Sequence, residues 1–438
     1  MKTYFVWPVA LIILSCSQPV IKPAAPVIFR EIEMPSRSIS PLIAAWNKLD
    51  DKNLQLKVDS FFVYHKSFPL VEIDSLYKDY LYVTFIYKDT TANKQVEFDI
   101  FGNYNDRNLG DRKMKRLRNT DMYYRTYYMP TDICFSYRFI VTDTLQHIKK
   151  IITDPLNAER VPYGELKDYS WSVLDQRQSE ENWNRKRYKD VKSFLIRFEL
   201  TSSILKNTRN IYIYLPEGYE ENRHQAYPVI YLFDSFIYLN RIEVPNVLDN
   251  LIREGKIEPM VAVFIDNPTP DSRNSELPFN FSFKNMLIKE LVPYVHKNWN
   301  VTSDPHHTII GGMSYGGLAA GFISFYADSV FGNVLSQSGS FWRDTVLTEP
   351  TANWPRADWL IKKFQTSGTR KDIKLYLDWG LQEPLILTSN RKFVRVLDKL
   401  DYDFKYSEFD GWHDWSNSRK TFPAGLLYLV AKSNTKKQ

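Results

Sequence analysis

The sequence predicts an α/β protein of two domains, in which a β-sandwich precedes an α/β domain with a mostly parallel sheet. Between residues 74 and 141, apolar and polar residues alternate in runs of strand formers, and turn signals separate these runs. From residue 192 onward, strand-like apolar runs alternate with helical patterns, which is typical of a parallel sheet covered by helices. A chain of 438 residues is long enough for both domains.

The first region is expected to form an immunoglobulin-like β-sandwich, which we place at residues 41–155. Its strand-like runs cover residues 81–87, 96–101, 122–129 and 133–140. The segment that follows, residues 156–190, is polar and contains prolines and mixed charge. We interpret it as the link between the two domains.

The second domain is predicted to occupy residues 191–438. Its strand-like runs cover residues 196–200, 210–215, 229–233, 260–265, 308–311, 333–336, 373–377 and 404–409. At residues 283–294 and 391–400, apolar residues recur at the spacing of one helix face. The pattern therefore indicates helices on both faces of the sheet.

The first 16 residues have the features of an export signal. Lys2 precedes an apolar run that only Pro8 interrupts, and this run is too short to span a bilayer comfortably. Residues 13–16 resemble the lipobox of bacterial lipoproteins, so Cys16 is expected to carry a lipid anchor, with residues 17–40 as a tether. This predicts a lipoprotein on the periplasmic face of the outer membrane or at the cell surface. An ordinary signal peptide cut nearby is the alternative.

The composition argues against several other classes of function. The net charge of +6 is modest, and the basic stretches are short and interrupted, so nucleic-acid binding is not expected. Cys134 is the only cysteine besides Cys16, and neither has the spacing of a metal site. His306 and His307 are adjacent and would point to opposite faces of a strand. No metal and no cofactor are therefore predicted.

A Gly-x-Ser-x-Gly motif at residues 312–316 predicts a nucleophile, Ser314. The motif alone is weak, but its surroundings support it. A buried-type strand precedes it, and a helix that begins with small residues follows. Such a strand must turn sharply onto the helix, which exposes the serine hydroxyl. The second domain is therefore predicted to be an α/β-hydrolase domain and the chain a serine hydrolase.

A serine needs a base, and in this fold the chain order is serine, acid, histidine. His413 is the only histidine after Ser314. The acid is expected after the strand at residues 373–377, and we favour Glu383 because its longer side chain can reach the histidine loop. Asp378 is the alternative acid.

The oxyanion hole of such a domain uses two backbone amides. One is expected from Tyr315, the residue after the nucleophile. The other is expected from the loop after residues 229–233, at Ser235 or its neighbour Phe236.

The sequence resembles the enterochelin (ferric enterobactin) esterases, within the esterase D-like group that also contains feruloyl esterases. The resemblance runs from about residue 79 to the C-terminus. It is carried by the order and spacing of residues 154–157, 273–280, 290–293, 312–317, 336–342, 380–384 and 410–414. The sandwich with residues 154–157 favours the enterochelin esterases over the feruloyl esterases.

This resemblance implies hydrolysis of the trilactone of a catecholate siderophore, with iron present only as part of the substrate. It gives Ser314 and His413 their usual roles and puts Glu383 where the broader group carries its acid. A ferric tris-catecholate is an aromatic trianion, so cationic and aromatic side chains near the pocket are expected to bind it. The candidates are Arg273, Trp342, Arg343 and Trp412.

Two alternative functions remain open at this point. An exported esterase could also remove feruloyl or acetyl groups from plant polysaccharide, with the sandwich as a carbohydrate-binding module. A lipoprotein that binds a siderophore or glycan without turnover is the other alternative. An intact set of serine, acid and histidine argues against the second.

Overall fold

The computed structural model describes residues 27–31, 36–89, 91, 93–102, 112–161, 171–176, 183–184, 188–344, 358–367 and 371–430. The predicted export signal, Cys16 and much of the predicted tether lie outside these residues. Within the described ranges, no helix is long and apolar enough to cross a membrane.

In the described residues, the N-terminal domain consists of two antiparallel sheets and two helices. Its strands are β1 (Ser36–Ser38), β2 (Leu70–Ile73), β3 (Tyr80–Lys88), β4 (Lys94–Ile100), β5 (Lys115–Arg116), β6 (Met122–Pro130), β7 (Cys134–Asp143), β8 (Ile148–Ile152), β9 (Arg160–Val161) and β10 (Trp171–Asp175). One sheet has the order β1-β6-β3-β2, with β5 on β6, and the other has the order β4-β7-β10-β9, with β8 on β7. The helices are α1 (Pro41–Trp46) and α2 (Asp51–Tyr64).

Alternating side chains of the two sheets meet in a shared aromatic core, as the period of two predicts. Phe85 of β3 and Phe98 of β4 lie in opposite sheets, and their ring centroids are 4.1 Å apart. Ile86 of β3 points the other way and packs with Ile43 of α1 and Leu54 of α2. The N-terminal domain is therefore a sandwich with helices against one outer face.

The sandwich is longer than residues 41–155. Strand β1 lies in the predicted tether and pairs with β6, and strands β9 and β10 lie in the predicted linker. Strand β10 pairs with β7 through residues 172–175. The linker expectation is thus wrong for this part of the segment. These strands are short and flanked by polar residues, so their alternation is hard to see in the sequence.

The part of the C-terminal domain that the structure describes is built on a sheet of eight strands in the order β11-β12-β14-β13-β15-β16-β17-β18. These are β11 (Phe194–Ser202), β12 (Asn207–Leu215), β13 (Val229–Phe233), β14 (Val261–Ile265), β15 (Thr308–Met313), β16 (Asn333–Gln337), β17 (Lys374–Gly380) and β18 (Asp403–Phe409). Each strand coincides with a predicted run. The pairs β11–β12 and β12–β14 are antiparallel, and the other pairs are parallel.

Helices cover both faces of this sheet and bury its central strands on each side. They are α3 (Ser235–Asn240), α4 (Val244–Arg253), α5 (Pro270–Glu276), α6 (Phe281–Met286), α7 (Val292–Asn298), α8 (Tyr315–Tyr326), α9 (Trp359–Thr366), α10 (Pro384–Lys399) and α11 (Trp415–Val430). A π-helical turn (Leu287–Leu291) joins α6 to α7, and a 3₁₀ turn (Pro305–His307) precedes β15. In such sheets, functional residues collect at the carboxyl ends of the strands.

Candidate active site

Ser314 lies on a strained turn between β15 and α8. Its φ is 61° and its ψ is −119°, a backbone conformation that residues with a Cβ rarely adopt. The turn is tight as well, because a Cβ atom at Gly312 would lie 2.6 Å from the carbonyl carbon of Gly316. This is the geometry that the motif predicts, with a half-buried serine at the carboxyl edge of the sheet.

The end of the neighbouring strand β16 holds this turn in place. The backbone N–H of Ser314 donates to the carbonyl of Gln337 at 2.9 Å, and the N–H of Ser340 donates to the carbonyl of Ser314 at 3.1 Å. The Ser340 hydroxyl oxygen lies 3.3 Å from that of Ser314. Contacts inside the α/β domain thus fix the serine.

His413 and Glu383 form a hydrogen-bonded pair at the same edge of the sheet. His413 follows β18, Glu383 follows β17, and Nδ1 of the imidazole lies 2.6 Å from Oε2 of the carboxylate. The other carboxylate oxygen, Oε1, accepts from the backbone N–H of Gly380 at 2.6 Å and from the Ser338 hydroxyl at 2.9 Å. The carboxylate is therefore oriented with one oxygen toward the imidazole.

Asp378, the alternative acid, points into the interior below this edge. Its side chain is fully buried in β17, where Oδ2 accepts a hydrogen bond from the side-chain amide of Gln337 at 3.3 Å. Burial raises the pKa of Asp378 to about 7, even though hydrogen bonds from Thr421 and Gln337 oppose this shift. Of the two carboxylates, the structure brings Glu383 to His413.

The two backbone amides expected in the oxyanion hole lie at the first residues of two helices. Tyr315 begins α8 and Ser235 begins α3, where the first N–H groups have no acceptor within the helix. A Cβ atom at Gly316 would lie 3.5 Å from Oδ2 of Asp234, so the two helix starts are neighbours. The Ser235 hydroxyl donates to Asp266 at 3.1 Å.

Three of the four candidate substrate-binding side chains gather around the ring of Tyr315, beside the nucleophile. The guanidinium carbon of Arg273 is 5.7 Å from the ring centroid, and that of Arg343 is 5.4 Å from it. The rings of Trp342 and Tyr315 are 6.4 Å apart. Arg273 also forms a two-pronged ion pair with Asp234 at 2.7 and 2.8 Å.

Trp412 is the exception, and its prediction as a substrate-binding residue is wrong. Only 1% of its surface is exposed, and its ring packs edge-to-face against Phe135 of the sandwich at 5.0 Å. Trp412 thus belongs to the hydrophobic core of the N-terminal domain. The sequence places it next to His413 but does not show that the sandwich lies on that side.

Comparisons with known proteins agree with this fold. The family model described as "Putative esterase" matches residues 202–429, more than half of the chain, and the model "Enterochelin esterase, N-terminal" matches residues 82–183. This chain belongs to the esterase family, in its enterochelin esterase branch. It is a carboxylic ester hydrolase with an α/β esterase fold.

Two of the relatives described next match most of this esterase, and a third matches about a third of it. An iron(III) enterobactin esterase of Escherichia coli O6:H1 is 26% identical over 347 residues, which cover 74% of this chain and 82% of that relative. The ferric enterobactin esterase structure from Salmonella typhimurium has a TM-score of 0.72 at 22% identity, over 85% of this chain and 98% of that one. An endo-1,4-β-xylanase/feruloyl esterase of Xylanibacter ruminicola is 29% identical over 151 residues, covering 32% of this chain and 21% of that relative.

Sequence reasoning missed the residues of this esterase that surround the histidine loop. Asp414 accepts hydrogen bonds from Ser136 of β7 and caps the start of α11, where the N–H of Ser416 donates to it at 2.9 Å. Arg30 pairs with Asp410 at 2.5 Å. Contacts over such sequence separations leave no local pattern. Among the described residues, no three or more His, Cys, Asp or Glu side chains are grouped to hold a metal ion.

Proposed function

We propose that this esterase hydrolyses the lactone esters of a catecholate siderophore such as ferric enterobactin. The observation that carries the proposal is the hydrogen bond between His413 and Glu383 at the sheet edge that also bears the strained Ser314 turn. The substrate class is supported by relatives that share both domains and are named as iron(III) enterobactin esterases. Iron would enter only as part of the substrate, and no cofactor is proposed.

In the proposed mechanism, Ser314 attacks the ester carbonyl while His413 removes its proton. Because Nδ1 of His413 faces Glu383, the proton would move to Nε2. The Glu383 carboxylate would hold this tautomer and stabilise the imidazolium that forms. It is suited to this because its second oxygen already accepts two hydrogen bonds from protein donors.

Attack on the carbonyl carbon creates an oxyanion, which the amides of Tyr315 and Ser235 would stabilise. When the tetrahedral intermediate collapses, the bond to the leaving alkoxide breaks, and the His413 imidazolium returns its proton to that oxygen. Water then repeats the attack on the acyl-enzyme, with His413 again as the base. The hydrolysis products are a free hydroxyl group and a carboxylate.

The cationic and aromatic side chains around Tyr315 would bind the substrate. Trp342 offers a ring for stacking against a catechol, and Arg343 offers positive charge for the trianion. Arg273 would contribute from a position that Asp234 fixes. Trp412 has no part in this proposal, because its ring is inside the sandwich.

The test is to incubate the purified chain with three substrates and identify the products by mass spectrometry. They are ferric enterobactin, a feruloylated xylo-oligosaccharide and a nitrophenyl acetate. We expect linear trimer, dimer or monomer of dihydroxybenzoylserine from the first. Ferulate release without cleavage of enterobactin would support the polysaccharide esterase instead. The observation behind this alternative is the shorter similarity to an endo-1,4-β-xylanase/feruloyl esterase. Binding without cleavage would support the non-catalytic alternative.

We further propose that the N-terminal sandwich is immunoglobulin-like and that the mature chain is a lipoprotein acylated at Cys16. The two facing antiparallel sheets support the first point, and residues 13–16 support the second. The site would then face the periplasm or the cell exterior. Labelling with a radioactive fatty acid in cells should mark the wild type and not Cys16→Ser, and equal labelling of both would refute the anchor.

A further inference from the structure

The loop that carries His413, residues 410–414, is held on one side by the N-terminal sandwich. The backbone N–H of Cys134 donates to the carbonyl of Asp410 at 3.2 Å. Two residues further along β7, Ser136 donates to the Asp414 carboxylate from its N–H and, at 3.1 Å, from its hydroxyl. The histidine thus lies between two anchor points on one sandwich strand.

A third anchor is hydrophobic. Trp412 is buried in the sandwich core against Phe135 of β7, as described above. Burial of a tryptophan is worth several kcal/mol, so this side chain ties the loop to the sandwich strongly. Residues on both sides of His413 are therefore fixed by a domain that carries none of the proposed catalytic groups.

The closest approach is made by Gly102, which follows β4. A Cβ atom at this position would lie 2.2 Å from the carbonyl oxygen of His413 and 2.7 Å from its carbonyl carbon. Real atoms do not come this close, so with any larger residue the histidine backbone and the turn at position 102 must move apart. Gly102 also has a φ of +74°, a conformation that favours glycine.

We propose that the sandwich is a positioning element for His413, and that Gly102, Phe135 and Ser136 are its positioning residues. This rests on the proposed role of His413 as the base. A general base must be held to within a fraction of an ångström of its productive position, and a 1 Å displacement lowers the rate by roughly 10²-fold. The sandwich would thus complete the active site by fixing the base.

The sharpest test compares Gly102→Ala with Gly218→Ala in the full chain. The two glycines have nearly the same φ, +74° and +73°, so alanine brings similar backbone strain to both. A Cβ atom at Gly218 meets nothing within 4 Å, whereas one at Gly102 meets His413. We expect kcat for nitrophenyl acetate to fall at least about 10-fold in Gly102→Ala, with KM changed less than about 3-fold. Gly218→Ala should keep the kcat of the wild type.

A second pair of variants tests the proposal if Gly102→Ala does not fold. Ser136→Ala removes a hydroxyl that contacts Asp414 and Ser416, and Ser172→Ala removes an equally buried hydroxyl on the neighbouring strand β10. Both variants lose a buried hydrogen bond, but only Ser136 reaches the histidine loop. We expect a several-fold loss of kcat in Ser136→Ala and none in Ser172→Ala.

Rates are normalised to folded protein by circular dichroism and thermal unfolding, so that loss of folded protein is not mistaken for mispositioning. The proposal is overturned if folded Gly102→Ala and Ser136→Ala keep the kcat of their controls, or if KM rises while kcat does not change. His413→Ala shows whether the proposed base or only its positioning by the sandwich is wrong. If this variant keeps the wild-type rate, the proposed base is wrong; if it is inactive while Gly102→Ala is not, only the positioning role fails.

Discussion

The turn that bears Ser314 and the loop that bears His413 are held in different ways. The serine turn is fixed by hydrogen bonds with the end of strand β16 and lies beside the start of α3, and both belong to the same α/β domain. The histidine loop accepts hydrogen bonds from Gln382 and Asn417 of its own domain. It is also held by Phe135 and Ser136, which lie in another domain and more than 270 positions away in sequence. The nucleophile is thus a product of the hydrolase fold, whereas its base depends on how two domains meet.

The largest expected effect is at the serine turn. Ser314→Ala should lower kcat by about 10³-fold or more, because it removes the hydroxyl that is proposed to form the acyl-enzyme. Its fold and stability should stay close to those of the wild type, since the turn is held by backbone contacts and by Gly312. Initial rates on nitrophenyl acetate and on ferric enterobactin measure this. A variant as fast as the wild type would show that Ser314 is not the nucleophile.

The next effect separates the two carboxylates near β17. Glu383→Gln should lower kcat by roughly 10²-fold, because glutamine cannot stabilise the imidazolium. Asp378→Asn is the matched control, because it also replaces a buried carboxylate by an amide, five positions earlier. The Asp378 side chain accepts a hydrogen bond from Gln337 and is not hydrogen-bonded to His413. It should retain kcat to within about 3-fold. The opposite ranking would give the role of the acid to Asp378.

The same contrast explains how far the sequence predicts this site. Ser314 is predictable because a tight strand–turn–helix needs small residues close together in the chain. His413 and Glu383 follow from the order of the strands, since parallel strands end at one edge of the sheet. The sequence predicts Trp412 as a substrate-binding residue because its ring could stack on a catechol, but tryptophan also fills hydrophobic cores. Only the contact with Phe135 tells these apart, and that contact spans two domains.

A smaller effect, on stability, is expected beneath the serine turn. Burial raises the pKa of Asp378 to about 7 from an ordinary value of 3.8. Between pH 4 and 7 the folded state therefore keeps a proton on Asp378 that the unfolded state has lost. The free energy of unfolding decreases as the pH rises through this range. Asp378→Asn should remove that loss and be more stable than the wild type at pH 8, by up to about 4 kcal/mol.

Urea unfolding of both proteins at pH 5 and pH 8 measures this difference. The variant's advantage should be larger at pH 8, where Asp378 in the folded wild type is charged. An advantage that is the same at both pH values would show that the buried carboxyl does not titrate in this range. This test uses stability alone, so it is independent of the catalytic ranking.

The smallest effect is expected at the histidine loop, where Arg30 pairs with Asp410 at 2.5 Å and with Asp132 at 3.0 Å. Burial, together with the nearby Asp132, raises the pKa of Asp410 to about 7 although Arg30 opposes this. Arg30→Ala removes the opposing charge, so the pKa of Asp410 should rise further. Because the half-exposed arginine is partly screened by water, we expect a loss of only about 1–2 kcal/mol at pH 8.

At pH 5 the loss in Arg30→Ala should be smaller, because Asp410 is then protonated in the folded state and needs no cation. Arg253→Ala is the matched control: its partner, Asp190, is exposed and its pKa is lowered, so it is charged at both pH values. The control should lose little stability, and equally little at each pH, because water screens an exposed pair. An equal loss at both pH values in Arg30→Ala would mean that the arginine acts through packing against the loop and not through its charge. In that case, the histidine loop would differ from the serine turn through van der Waals packing against Arg30 and not through the ion pair with Asp410.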